Sequence, residues 1–344
     1  MGKKIILATF VVAVILAGVL AGNYINYKRE NTKPVINEDA QQDDYKEISI
    51  TAVGDCTFGT DINYEGEFSF NSEFKKHNGD ATYFLKNVRR YFEDDDLTIV
   101  NFEGTLSERG KREDKEFAFR GKPEYVKILT TSSVEATNLA NNHTRDYGDA
   151  AFSDTKKILS DNGIVWFEGK NYGIKEVNGI KIGMIGTNTL RADAEVNFKK
   201  CIENIKEENP DLIVASFHWG DEGSHIVNGK QKELAKMAID NGADLVIGHH
   251  PHVLQGIEKY RGKYILYSLG NFCFGGSKNP KDKDTMIFKQ TFVFKEGKLT
   301  DIDRASLIPC SVSSVNDRNN FQPVALSGED FARVSQKIAE RSAE

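Results

Sequence analysis

The sequence is poor in cysteine and has no excess of basic residues. Among 344 residues there are four cysteines, and no two of them form a CxxC pair. A zinc ribbon is therefore not expected, whereas a disulfide remains open because sequence alone does not fix connectivity. The formal net charge is −6, and the basic patch that is typical of nucleic-acid-binding domains is not evident. We expect no nucleic-acid partner.

Long hydrophobic runs are also scarce, with one exception at the N-terminus. Lys3 and Lys4 precede an uncharged run of 18 residues, 5–22. As a helix this run would span about 27 Å, close to the ~30 Å hydrocarbon core of a bilayer. The two lysines favour a cytoplasmic N-terminus, residues 1–4, with everything after the run outside the cell. We therefore expect a single-pass signal anchor in the cell membrane that carries an extracellular C-terminal domain.

A cleaved signal peptide is the alternative for this run. Val19 and Ala21 resemble the small-residue pattern of a cleavage site, although the run is longer than the usual apolar core of such peptides.

Residues 23–47 follow, and they are polar and without apolar periodicity. This composition predicts a flexible stalk between the membrane and the globular part.

The globular part combines signals for strands and for helices. Five aliphatic runs begin at Ile48, Leu97, Val134, Asp211 and Asp244 and predict strands buried on both faces. Apolar residues at helical spacing between them predict helices over residues 80–92, 150–160 and 231–241. Hairpin turns are expected at residues 178–179, 261–262 and 296–297. The alternation predicts an α/β domain over residues 48–310, followed by an extension, residues 311–344, with a helix that Ser327 caps.

Each of the five predicted strands ends in side chains that can hold a metal ion. In open α/β sheets ligands gather beyond the carboxyl ends of the strands. Taken singly, each residue has an ordinary explanation, such as a turn or a buried histidine with a hydrogen bond, but five coincidences are less plausible than one shared centre. The candidate ligands are Asp55, Glu103, Asn142 beside His143, His218, His250 and His252.

The chemistry of these groups fits one or two divalent ions. A borderline ion such as Mn²⁺, Zn²⁺ or Fe²⁺ accepts carboxylate and imidazole together, and a carboxylate such as Glu103 can bridge two ions. His250 and His252 alternate by two residues, so an extended segment would turn both towards one side. His249 would then face the other way, in a structural or supporting role.

Six stretches in this order resemble the CapA/PgsA family of poly-γ-glutamate capsule synthesis proteins. They are AVGDCTFG, NFEGTLS, NLANNHTRDYG, SFHWGDE, GHHPHVLQ and YSLGNFCF, and they extend roughly over residues 48–274. That family is similar to the calcineurin-like metallophosphatases. The resemblance therefore implies a four-layer α/β/β/α sandwich behind the predicted transmembrane helix.

The resemblance also implies roles for individual residues. One ion would contact Glu103, Asn142, His218 and His250, and the other would contact Asp55, Glu103 and His252. His143 would act as the acid beside the leaving group. Two positions depart from the phosphatase pattern: Thr57 replaces a histidine ligand, and Thr144 replaces the acid next to the catalytic histidine. Asp146, three residues after His143, is the candidate that would orient it instead.

Arg120 and Arg191 are candidates for binding the substrate, because a guanidinium fork can clamp a carboxylate or a phosphate.

The resemblance implies a role in making or exporting poly-γ-glutamate, together with other capsule synthesis subunits, through a metal centre that is hydrolytic. Two alternatives remain open. The protein could be a non-catalytic subunit that binds the polymer, or it could be an extracellular metal-dependent phosphodiesterase.

Overall fold

The aliphatic runs of the sequence form the central strands of two large sheets. The computed structural model describes residues 45–302 and 304–343. Within these residues the strands are β1 (Tyr45–Thr57), β2 (Leu97–Phe102), β3 (Thr105–Leu106), β4 (Arg120–Gly121), β5 (Ala136–Asn138), β6 (Val165–Phe167), β7 (Gly173–Val177), β8 (Ile180–Asn188), β9 (Leu212–His218), β10 (Leu245–His249), β11 (Ile257–Tyr260), β12 (Lys263–Leu266), β13 (Asn271–Phe274), β14 (Asp284–Lys295), β15 (Lys298–Leu299), β16 (Arg304–Ser311) and β17 (Val324–Ala325).

Helices connect the strands or follow them. The α-helices of the described residues are α1 (Phe70–Lys76), α2 (Arg89–Glu93), α3 (Val126–Thr130), α4 (Gly148–Asp161), α5 (Ala194–Glu207), α6 (Gly229–Asp240) and α7 (Gly328–Ser342). Short 3₁₀ helices cover Ile62–Tyr64, Ala81–Tyr83 and Pro123–Tyr125. Helix α6 begins with a capping box, in which the side chains of Asn228 and Gln231 each accept a hydrogen bond from the other's backbone N–H.

Both large sheets have a parallel centre. The nine-stranded sheet has the order β17-β16-β14-β1-β2-β5-β6, with β13 paired to β1 and β15 to β14. Strands β13, β1, β2, β5 and β6 are parallel to one another, whereas β14 and β16 are antiparallel additions. The six-stranded sheet has the order β11-β12-β10-β9-β8-β7 and is parallel from β12 to β8. The predicted mixed α/β fold is confirmed.

The three predicted hairpins are also present. They join β7 to β8, β11 to β12, and β14 to β15. Both turn residues have positive φ in each case, 53° and 75° at Asn178 and Gly179, for example. This is the backbone geometry of a type I′ turn, which matches the twist of the paired strands.

Three large clusters of buried apolar residues hold the two sheets and the helices together. One cluster of buried residues lies between the sheets and joins Ile50 of β1 to Val214 of β9. A second cluster packs Phe70 of α1 and Phe152 of α4 against the nine-stranded sheet. A third includes Phe198 of α5 and covers the six-stranded sheet. Each large sheet therefore contacts the other sheet through one face and helices through the opposite face.

The C-terminal helix is part of this packing. Val334 and Ile338 of α7 are buried in the cluster between the sheets. Arg333 donates hydrogen bonds of 2.7 and 2.9 Å to Asp284 at the start of β14. Ser327 precedes the helix as expected, but its side chain makes no capping hydrogen bond. The residues 45–343 that the structure describes, apart from 303, belong to one compact unit.

The helix predicted over residues 80–92 is wrong as a single element. A 3₁₀ helix at Ala81–Tyr83 and the short helix α2 replace it. Val88 precedes α2 with a φ of −116°, which departs from the value of roughly −63° in a regular helix. Since Phe84, Leu85, Val88 and Phe92 are all buried, packing overrides the local helical periodicity here.

The predicted membrane anchor, residues 5–22, lies outside the described residues, as does most of the predicted stalk. The last three stalk residues, 45–47, instead begin β1 and pair with β14. Within residues 45–302 and 304–343, no helix combines the length and the apolar character needed to cross a bilayer.

Gly54 of β1 packs directly against Gly270, which precedes β13. Substitution of Gly54 tests this close packing. A Cβ at Gly54 would lie 2.0 Å from the carbonyl oxygen of Gly270. We expect Gly54→Ala to lower the free energy of unfolding by about 1–3 kcal/mol, the usual cost of overpacking. Urea unfolding without added metal measures the effect. Gly229→Ala is the control, because no atom lies within 4 Å of a Cβ there, and equal stability losses in both variants would contradict the packing argument.

Candidate metal centre

The six predicted ligands come together where the parallel strands of both sheets end. Asp55 lies near the end of β1, Glu103 directly follows β2, and Asn142 lies in the loop after β5. The six-stranded sheet contributes His218, the last residue of β9, and the segment after β10 contributes His250 and His252. The carboxyl ends of the two parallel sheets therefore meet at one place, as the sequence predicts.

Asp55 is the most connected member of this cluster. Its side chain is fully buried. Its Oδ1 lies 3.1 Å from Nδ1 of His249 and accepts a 2.8 Å hydrogen bond from Asn101. Its Oδ2 lies 3.1 Å from Nδ1 of His252 and accepts a hydrogen bond from the backbone N–H of His250. One carboxylate thus contacts the whole segment that contains the three histidines.

This histidine segment is a turn and not an extended strand. His250 and His252 have φ values of 96° and 59°, which are uncommon for residues other than glycine. The expected extended geometry is therefore wrong, and so is the expectation that His249 faces away, because His249 contacts Asp55. The hydrogen bond from His250 N–H to Asp55 helps to hold this unusual backbone.

Glu103, His218 and Asn142 form the other side of the cluster. Nε2 of His218 lies 2.9 Å from Oδ1 of Asn142, and its Nδ1 lies 3.7 Å from Oε1 of Glu103. The rings of His218 and His250 are 4.5 Å apart between centroids. Asp55, Glu103 and His252 also offer ligand atoms that all lie within 4.8 Å of one another. All six predicted ligands therefore belong to one connected set.

Burial and mutual charge shift the pKa values in this set in opposite directions. Burial raises the pKa of Glu103 well above its usual value, and the charge of Asp55 raises it further. Burial also favours a higher pKa for Asp55, but hydrogen bonds with His249 and His252 outweigh it and lower the pKa well below its usual value. Burial lowers the pKa of His252, yet the charge of Glu103 and the contact with Asp55 prevail and raise it to about 9. Of the two acids, Glu103 is therefore the one whose charge its surroundings compensate less.

Burial lowers the pKa of His218 well below its usual value, and the neighbouring His250 lowers it further. The imidazole of His218 is therefore neutral, which is the form that binds metal ions.

The cluster also contains buried polar atoms without a hydrogen-bond partner among the described residues. These atoms are Oε2 of Glu103 and one ring nitrogen each of His218, His249 and His250. An unpaired buried polar atom usually costs about 1–3 kcal/mol. Carboxylate, amide oxygen and neutral imidazole together suit a borderline divalent ion. A divalent ion bound here would satisfy these atoms and balance the acids, so the residues present fit such an ion.

His143 is oriented by a carboxylate, as the sequence suggested. Nδ1 of His143 lies 2.7 Å from Oδ2 of Asp146, and the other oxygen of Asp146 accepts a 2.7 Å hydrogen bond from Lys115. The backbone N–H of Phe119 donates to Asp146 as well. This arrangement fixes the imidazole through Nδ1, and no hydrogen bond within the described residues engages Nε2.

The two candidate substrate residues lie in different surroundings. The guanidinium of Arg120 stacks on the ring of Tyr147, 3.5 Å from its centroid, and donates to the carbonyl oxygen of Gly110. Arg191 is exposed and pairs with Asp193 at 3.3 Å. Arg191 also lines a groove of ≈ 520 Å³ that includes Asn142. The structure thus places Arg191, but not Arg120, in a groove that reaches the candidate centre.

Several residues that hydrogen-bond to the candidate site residues were not predicted from the sequence. Asn101 donates to Asp55 and to Glu103, at 2.8 and 3.0 Å, and its own oxygen accepts from Asn138 and Asn141. Their signal was available, because asparagines occur at the ends of β2 and β5 beside the predicted ligands. Lys115 gave no such signal, since it lies in a charged loop between strands.

Comparison with known proteins matches the same part of the chain. A family model described as "Bacterial capsule synthesis protein PGA_cap" matches residues 49–276. The capsule biosynthesis protein CapA of Bacillus anthracis is 30% identical over 257 residues, which are 67% of this chain and 60% of that protein. The PGA biosynthesis protein CapA of Bacillus subtilis (strain 168) is 36% identical over 219 residues, 56% of this chain and 57% of that protein.

These matches cover little more than half of the length of the two curated relatives. Among solved structures, a hypothetical protein from Thermus thermophilus is similar with a TM-score of 0.47 and 14% sequence identity, and the match covers 76% of this chain and 99% of that one. The family model alone covers well over half of the present chain. The resemblance seen in the six sequence stretches is thus confirmed, and the chain belongs to the family of bacterial capsule synthesis proteins.

Proposed function

We propose that this protein acts in the synthesis or export of a poly-γ-glutamate capsule through a centre that binds one or two divalent metal ions. The names of the two Bacillus relatives support the role in capsule synthesis. The observation that carries the metal centre is the connected set of six side chains with unpartnered buried atoms at Glu103, His218 and His250. Mn²⁺, Zn²⁺ and Fe²⁺ all suit this donor set.

The proposed centre would lie outside the cell. Residues 5–22 would anchor the chain in the cell membrane and residues 23–44 would form the stalk, so the domain would work outside the cell, beside other capsule synthesis subunits. The two packed sheets with helices on their outer faces support a four-layer α/β/β/α sandwich of the metallophosphatase type.

The proposed reaction is hydrolysis of a phosphoester or of an amide bond. A bound divalent ion would lower the pKa of a water molecule and neutralise charge on a substrate oxygen. His143 would donate a proton to the leaving group from Nε2, because Asp146 holds its Nδ1. Lys115 donates a hydrogen bond to the other oxygen of Asp146 and so helps to hold in place the side chain that orients the imidazole.

Binding of the polymer without hydrolysis is the second candidate, and the groove beside Asn142 favours it. Lys170 and Arg191 line this groove, and both can pair with the carboxylates of a polyanion. The centre would then bind a polymer carboxylate directly, since divalent ions accept carboxylate ligands readily.

Removal of a ligand separates these functions. The assay uses the purified full chain with Mn²⁺ or Zn²⁺. We expect Asp55→Ala and His250→Ala to lower turnover of phosphoesters or poly-γ-glutamate by at least about 100-fold. The reason is that substitution of residues that only hydrogen-bond to metal ligands already lowers activity by about 10–100-fold. His225→Ala is the matched control, because His225 is exposed and lies outside the cluster. Metal-dependent binding of poly-γ-glutamate without turnover would favour the polymer-binding role. Absence of both metal-dependent activities in the wild-type chain would contradict the proposal.

Asn101 provides a test of the support behind the ligands. We expect Asn101→Leu to weaken Mn²⁺ binding by about 10–100-fold, because it removes the donor that orients both Asp55 and Glu103. Isothermal titration calorimetry measures the affinity, and circular dichroism verifies the fold. Asn162→Leu is the control, since Asn162 lies exposed at the end of α4. An affinity equal to that of the control would show that Asn101 does not position the ligands.

A further inference from the structure

We propose that Glu222 is an additional metal ligand on the solvent side of the centre, where it acts together with His250 and His252. This inference rests on the proposed metal centre and extends it to a residue outside the six predicted ligands. Glu222 lies in the loop that connects β9 to α6, four residues after His218.

The geometry brings Glu222 within reach of an ion. Ligand atoms of Glu222, His250 and His252 all lie within 4.8 Å of one another. His252 also belongs to the group formed with Asp55 and Glu103. The two groups therefore share one histidine, and Glu222 extends the set of possible ligands from the buried acids towards the surface.

Two backbone hydrogen bonds hold the loop of Glu222 against the histidine turn. The N–H of Trp219 donates to the carbonyl oxygen of His249 at 3.1 Å, and the N–H of Gly223 donates to that of Pro251 at 2.8 Å. The loop is thus fixed to the histidine turn on both sides of Glu222. Gly223, with φ 73°, adopts the left-handed conformation that allows this close return.

The carboxylate of Glu222 is not engaged by a hydrogen-bond donor or a close cationic side chain within the described residues. It makes no hydrogen bond and no ion pair with any described residue. Nδ1 of the buried His250 is likewise without a partner among these residues. An exposed acid normally lies among solvent and lysine side chains, whereas this one lies next to two imidazoles. A divalent ion bound between Glu222 and His250 would be a partner for both side chains.

The chemical reason for an extra carboxylate lies at Thr57. This residue follows Asp55 by two positions and offers only a neutral hydroxyl, which is buried without a partner among the described residues. The buried part of the centre therefore lacks a strong ligand at this position, and the acids among its predicted ligands are Asp55 and Glu103. Glu222 adds a third negative charge from a different loop, which strengthens the binding of a divalent cation.

Mn²⁺ binding to the purified full chain tests this role, with Mn²⁺ alone as the probe. We expect Glu222→Gln to weaken binding by at least about tenfold or to remove one bound ion, because the amide keeps the size but loses the charge. Calorimetry gives the affinity, and electron paramagnetic resonance of free Mn²⁺ gives the number of ions bound. Since Glu222 is exposed, the variant should fold, and its melting temperature without metal verifies this.

Asp221→Asn is the matched control, because it removes the same charge from the neighbouring exposed residue. Weaker binding in Glu222→Gln than in Asp221→Asn supports the proposal. Equal binding in these two variants, while Asp55→Ala loses Mn²⁺, overturns the role of Glu222 and leaves the metal centre intact. Unchanged binding in Asp55→Ala overturns the metal centre itself, and the role of Glu222 with it.

Discussion

The contact between the Asp55 carboxylate and the histidine turn is the interaction on which the site depends. Asp55 comes from the nine-stranded sheet, and the three histidines lie at the end of a strand of the six-stranded sheet. The contacts of Asp55 with His249, with His252 and with the backbone N–H of His250 join the two sheets at their carboxyl ends. Together with the hydrogen bonds that Asn101 donates to Asp55 and Glu103, these contacts hold the candidate ligands of the two sheets beside one another.

Two acids buried side by side distinguish this cluster from an ordinary apolar core. Two carboxylates, Asp55 and Glu103, are completely buried a short distance apart. Burial of charge is unfavourable unless an opposite charge compensates it, and burial beside Asp55 raises the pKa of Glu103 well above its usual value. This buried pair of acids supports the proposed cation site.

Much of this arrangement was predictable from the sequence, because strands and the polar residues at their ends can be recognised in short stretches. Aliphatic runs that end in Asp55, His218 or His250 identify the strands, and parallel strands place their ends at one edge. The hairpins were predictable because residues such as Asn178 and Gly179 tolerate positive φ. The conformation of the histidine segment was not, since contact with Asp55, distant in sequence, imposes the turn.

Residues that act through tertiary contacts were the ones missed. Asn101 begins the stretch NFEGTLS, but its importance follows only from its contacts with two acids, Asp55 of β1 and Glu103 directly after β2. Lys115 reaches Asp146 from a loop whose sequence resembles any charged surface. The broken helix around Val88 shows the same effect in the fold, because burial of apolar side chains outweighed a helical pattern.

The position of helix α7 has a consequence for the order in which the protein can be made. Val334 and Ile338 fill part of the space between the sheets, and the Oγ of Ser342 accepts a hydrogen bond from the backbone N–H of Ile257. These residues are translated after all seventeen strands described here. A nascent chain therefore exposes part of its central core until α7 has emerged and can pack between the sheets, so the core of this domain closes only after its last helix is available.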